Sequence, residues 1–274
     1  MKSNIDYLTR AYIDLDEPIP YKLSDGNTII IKPISLKKSE FFLTSVDILE
    51  IDKNASPSVE IIQMSYLRFL NEMIIKDEVA KQKLINILVL CLDLKRPWIE
   101  IEGKTKAKLW DAESGICITS KDFDEISRII KYQNILHYDD EYIDPELKQA
   151  MSEVDAVKNI GYEEIGLGRR IAIITAHCGL SKKEQLEMTL KSHSQLFEEC
   201  CGEVEYSAVK PIALFGGEGN KVQWIFRKKK NKFDGYFVNE SDFAASGGTD
   251  VASIKVVSDN ASNLEAQFNM FNKK

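Results

Sequence analysis

Residues 98–130, WIEIEGKTKAKLWDAESGICITSKDFDEISRII, change their hydrophobic period partway along, and that change sets the fold class. WIEIEG alternates apolar and polar residues, the pattern of a strand with one covered face. Asp111 to Gly115 carries turn chemistry and ICIT resumes an extended run, so a β-hairpin or small sheet is expected over roughly residues 97–119. Ser120 then stands where a helix cap belongs, and Phe123, Ile126, Ile129, Ile130 and Gln133 follow at helical spacing. Short strands beside longer helical patterns imply an α+β chain, mainly helical with β-hairpins.

Working towards the amino terminus, Tyr21 to Pro33 reads YKLSDGNTIIIKP. Asp-Gly between two extended runs predicts a hairpin, because the tight turn demands positive φ angles. A helix is expected from about Ser35 to Leu49. Another opens behind Pro57 at about Ser58, with Ile61, Ile62, Met64, Leu67, Phe69, Leu70 and Met73 on a wide buried face. Asp77 to Leu94 repeats the theme, and these last two helices should form the core of the first half. Towards the carboxyl terminus, Asp144-Pro145-Glu146 marks the start of a largely polar helix reaching about Lys158. The glycines and glutamates of residues 161–168 suit a boundary loop. Two subdomains follow: residues 1–155, helical with the hairpin and the β insertion, and residues 156–274, a helix pair and a loosely held β-containing region.

The chain has 274 residues, of which 44% are hydrophobic and 29% charged, the profile of a globular protein with room for sizeable cores. Apolar runs such as Ile85 to Leu92 fall far short of the roughly 20 residues that span a bilayer. No membrane association is expected, and the start, MKSNIDYLTR, does not read as a secretory signal. Five scattered cysteines suit a reducing compartment better than a disulfide framework. A net charge of −7 disfavours broad phosphate binding.

Residues 176–201, AHCGLSKKEQLEMTLKSHSQLFEECC, admit three readings. Gly179 fits a left-handed helix cap, and Ser181-Lys-Lys-Glu184 a capping box that restarts a helix running to the cysteine pair. The short turn resembles a helix-turn-helix, so a nucleic-acid-binding regulator using residues 169–201 is the alternative function. Glu184, Glu187, Glu198 and Glu199 oppose Lys182, Lys183 and Lys191 there, which favours a plain packed pair. A metal site would draw on His177, Cys178, His193, Cys200 and Cys201. Adjacent pairs on a helix diverge by about 100°, so cysteines packed as small hydrophobes and a satisfied His193 explain them better.

Trp224, Phe226, Arg227, Lys228, Lys229 and Lys230 form the basic run, read as a surface for docking on a protein partner in preference to nucleic acid. The exposed face around Lys182, Lys183 and Lys191 is the second surface of this kind. FGGEGNKV, from Phe215, fails the P-loop pattern because Asn220 precedes Lys221 and Val222 follows it. DKNAS at Asp52 opens like a calcium loop but meets Pro57 where glycine is needed. HYDDEYIDPE, from His137, reads as an acidic surface loop. No catalytic residues and no cofactor are expected.

The order of features resembles structural and morphogenesis proteins of tailed bacteriophages, in particular tail assembly chaperones and baseplate or hub-assembly components. The stretches concerned are YKLSDGNTIIIKPISLKKSEFFL, VDILEIDKN, VEIIQMSYLRFL, YDDEYIDPELKQAM, GLSKKEQLEMTLKSHSQLF and WIFRKKKNKF, within residues 20–235. The resemblance implies a protein without an active site that works by protein–protein binding. Its partners would be tape-measure, tube or baseplate subunits, with self-association as a further contact, in the host cytoplasm or incorporated into the virion. The β structure after Trp98 departs from the small helical chaperones and keeps a permanent virion subunit open.

Overall fold

The computed structural model describes residues 6–141, 143–158 and 165–214, together with Phe233 and Tyr236. The architecture is α+β and mainly helical, with two small antiparallel sheets. Contacts divide the chain into two units, Met1–Tyr142 with Ile165–Val209, and Ile143–Glu164 with Lys210–Lys274. Residues 165–209, which the sequence pattern put in a second half, thus group with the first unit.

In the first unit, Asp6 caps α1 (Tyr7–Asp14) by accepting from the amides of Leu8 and Thr9. Strands β1 (Ile19–Lys22) and β2 (Thr28–Ile31) form the expected hairpin, with Gly26 at φ +93° in the turn. The helix expected over 35–49 is interrupted. It resolves into a 3-10 turn (Leu36–Lys38), α2 (Ser39–Leu43) and a second 3-10 turn (Val46–Leu49). Hydroxyls compete with the helical ladder here: Ser39 donates to the Leu36 carbonyl at 2.7 Å and Thr44 to that of Glu40 at 2.8 Å. The next expected helix also divides, into α3 (Val59–Gln63) and α4 (Tyr66–Lys76). Met64 is extended, the Ser65 amide bonds the Thr105 carbonyl at 2.7 Å, and the Ser65 hydroxyl caps α4. Helix α5 (Glu78–Leu92) runs nearly as expected, capped by Asp77 and ended by left-handed Asp93.

The second sheet has three strands in the order β3 (Pro97–Glu102), β4 (Lys106–Asp111), β5 (Cys117–Thr119). Thr119, one residue before the expected Ser120, caps α6 (Ser120–Asn134) in a reciprocal box with Asp122. Phe123, Ile126, Ile129, Ile130 and Gln133 are all buried, as their spacing requires. The four apolar ones join the core of Ile31, Leu67, Leu70, Leu84, Leu88 and Leu109. Polar groups at both ends of α6 hold the first hairpin. Asp122 accepts from the Ser24 amide at 3.2 Å and hydroxyl at 2.8 Å, and Asn134 Oδ1 accepts from the Ile34 amide at 2.7 Å.

Helix α8 (Leu167–Cys178) ends at Gly179, φ +73°, and Ser181 and Glu184 make the expected capping box of α9 (Lys182–Glu187). The continuous second helix expected to the cysteine pair is absent. Met188 is extended, and α10 (Leu190–Leu214) starts afresh and runs well past Cys201. The reason lies in backbone pairing: Leu36 donates to the Met188 carbonyl at 2.8 Å and Leu190 to that of Ile34 at 2.7 Å. The chain after β2 thereby claims backbone groups that the helix would have used.

In the second unit, α7 (Pro145–Lys158) starts where expected, with Asp144 accepting from the Glu146 amide at 3.0 Å. The Tyr236 hydroxyl donates to Asp155 at 2.6 Å. The β-containing region expected after the helix pair lies outside the described residues, Phe233 and Tyr236 excepted, as do residues 161–164 of the boundary stretch.

Burial pushes the Asp122 carboxyl up, but hydrogen bonds from Thr119 and Ser24 outweigh it and hold the group below its ordinary value. A depressed folded-state pKa stabilises the fold above the unfolded carboxylate value and loses that contribution as pH falls through the folded one. Asp122→Ala should cost about 1–3 kcal/mol in urea unfolding at pH 7, with the difference from the parent chain shrinking in acid.

Candidate docking surface

The three-stranded sheet has one face in the core and one outside. Register pairs Trp98 with Trp110, Ile99 with Leu109, Glu100 with Lys108 and Glu102 with Lys106. Ala107, Leu109 and Ile118 point inward and are buried, where the sheet packs on α4 and α6. Alternation therefore sends Trp98, Trp110, Glu100 and Lys108 to the outer face. The two indoles stack with centroids 6.4 Å apart and planes 15° from parallel, and Trp98 is 47% exposed.

The pair is held in place by its neighbours. The Trp110 indole N–H donates to the Glu100 carboxylate at 2.8 Å, and Lys108 pairs with Glu102 at 2.9 Å. That bond to Glu102 raises the Lys108 ammonium above its ordinary value. Ile101, 49% exposed, pairs with Ala107 and so lies on the inner-face side of β3, at the sheet edge and apart from the tryptophans. Chemically, this is an ordered aromatic platform with charges of both signs around it. It suits apolar side chains of a partner whose polar groups can meet Glu100 and Lys108. A second exposed apolar site, Phe41 and Leu43, flanks the buried Phe42 on α2.

The residues singled out from sequence separate into several environments. Trp224, Phe226, Arg227, Lys228, Lys229 and Lys230 lie outside the described residues. Lys182 and Lys183 are exposed in the first turn of α9, which is only six residues long. Lys191 is half-buried, donates to the Tyr132 carbonyl at 3.1 Å, and is lowered in pKa by burial. It ties α10 to α6 and is a poorer docking cation than the other two.

His193 is buried, 3.3 Å from the Gln185 side-chain oxygen, and burial followed by the Arg170 charge lowers its pKa. The amide nitrogen of Gln185 meets the carbonyls of Ile171 and Leu180 and the Thr175 hydroxyl. His193 thus belongs to a structural polar cluster joining three helices. His177 pairs with Glu203 at 2.7 Å, the Cys178 and Cys200 sulfurs are 3.4 Å apart, and Cys201 is exposed. Among the described residues, no three His, Cys, Asp or Glu side chains converge to hold a metal ion. No protein-family model matches the chain, and no curated protein or solved structure matches it either.

The β-hairpin or small sheet expected over residues 97–119 contains both tryptophans, but the expectation assigns no strand to KAKLWD and so does not pair them. The available signal was its alternation, with Ala107 and Leu109 set between lysines and Trp110. If the outer face is free of the core, Trp98→Ala should cost under about 1 kcal/mol of folding stability. Leu109→Ala, on the inner face of the same sheet, should cost about 2–5 kcal/mol. Urea unfolding of the two variants checks the contrast.

Proposed function

We propose that this chain is a non-enzymatic protein of bacteriophage tail morphogenesis, a tail assembly chaperone or a baseplate or tail structural subunit, acting by protein–protein docking. The observation that carries the docking reading is Trp98 stacked on Trp110 on the outward sheet face. Exposed indoles are costly in water, and covering apolar area returns about 25 cal/mol per Å². Tryptophan is also among the residues most enriched at binding hot spots. Because Glu100 already fixes the Trp110 ring, little side-chain freedom is left to lose on binding. The phage context rests on the sequence resemblance, and the partner in this reading is a tape-measure, tube or baseplate protein. Binding takes place in the host cytoplasm or within the particle and needs no cofactor. Among the described residues no helix is long and apolar enough to cross a membrane.

The test is capture of the tagged chain from its native setting at rising salt, with partners identified by mass. Tail proteins should be retained at high salt, and Trp98→Ala with Trp110→Ala should cut their recovery on the order of tenfold or more. Unchanged recovery with the double variant would remove the platform from the account. Recovery of DNA that washes off as salt rises would instead support the nucleic-acid reading through Lys182 and Lys183.

A further inference from the structure

We propose that Cys178 and Cys200 form a reversible dithiol–disulfide couple that locks the end of α8 to α10. The two sulfurs, 22 residues apart in sequence, already sit 3.4 Å from each other. A disulfide needs them at about 2.05 Å, so closure draws the sulfurs together by only a little more than an ångström. The surroundings favour the pairing independently. His177, beside Cys178, bonds Glu203 one turn beyond Cys200 at 2.7 Å, so the same two helices are clamped next to the thiols. The pair is also asymmetric in a useful way: Cys178 is exposed and Cys200 is buried. An oxidant therefore meets Cys178 first, and Cys200 waits behind it as the resolving thiol. Burial and the Cys178 thiol push Cys200 up, which keeps it protonated until that step.

The oxidant class is a low-molecular-weight disulfide, such as glutathione disulfide. The Cys178 thiolate attacks one glutathione sulfur, forming a mixed disulfide and releasing one glutathione thiolate. Cys200 then loses its proton to solvent base, and its sulfur displaces the second glutathione from Cys178. Two protein thiols are oxidised, and one glutathione disulfide is reduced to two thiols. The bond closes a loop containing Gly179, α9 and the Met188–Leu190 pairing, and so staples the segment that presents Lys182 and Lys183. Cys201, exposed on the next position of α10, points about 100° away from Cys200 and serves as an internal control.

The experiment incubates the full reduced chain with glutathione disulfide, blocks the remaining thiols by alkylation, and maps peptides by mass. The expected product is a Cys178–Cys200 linked peptide lighter by two hydrogens, reversed by dithiothreitol, with a raised Tm. Cys201→Ser should leave the product unchanged, and Cys178→Ser should abolish it. Cys178 is exposed, so this variant does not depend on repacking a core. A glutathione adduct that persists on Cys178 with Cys200 unlinked would overturn the proposal, as would a link to Cys201 or an unreacted Cys178.

Discussion

The two ends of α6 hold the first hairpin and the chain that leaves it, Asp122 through Ser24 and Asn134 through the amide of Ile34, and this clamp ties α6 to segments about a hundred residues away. The two contacts join residues about a hundred positions apart, so each closes a long loop whose entropy must be offset by the core that it seals. Between the clamps lie Phe123, Ile126 and Ile130, with Ile29 and Ile31 of β2 among the same buried residues. A buried carboxylate or carboxamide with its bonds made is tolerable, and one stripped of its partner leaves unsatisfied groups in a core.

The clamp extends further than the hairpin. Ile34 gives its amide to Asn134 and its carbonyl to the Leu190 amide, so one residue joins α6, the chain after β2 and the start of α10. The break between α9 and α10 follows from this, and it places Gln185 against His193 in the polar cluster. On the other side, α6 and α4 occupy the inner face of the three-stranded sheet. With that face filled, alternation sends both tryptophans outward, which is how core packing positions the candidate docking surface.

Wherever local chemistry and packing agree, the fold can be read from residues alone. Ser-Asp-Gly-Asn specifies the first hairpin, the stripe from Phe123 to Gln133 specifies α6, and Gly179 with Ser181 and Glu184 specifies a helix end and restart. Reading fails where a distant segment captures backbone groups. Met188 and Ser65 lie within apolar helical patterns, yet pairing with Leu36 and Thr105 breaks both helices. Periodicity carries no information about such partners. The site was legible in part: the strand character of WIEIEG pointed to an outer face. The stacking of Trp98 on Trp110 also required β4 and its register, which the lysines of KAKLWD obscured. In the same way, Cys178 and Cys200 were each visible as residues, while their contact depends on how α8 meets α10.

The central functional claim, that the chain docks through the outer sheet face, is tested most directly by tryptophan emission and acrylamide quenching. The chain contains three tryptophans, so Trp224→Phe leaves only Trp98 and Trp110 to report. Measurements compare this variant alone and bound to the partner that capture recovers. Docking through the platform predicts a blue-shifted emission and a several-fold loss of quenching in the complex. Unchanged emission from the variant, with the shift appearing only when Trp224 is restored, would contradict the account and move docking to the basic run at Trp224–Lys230.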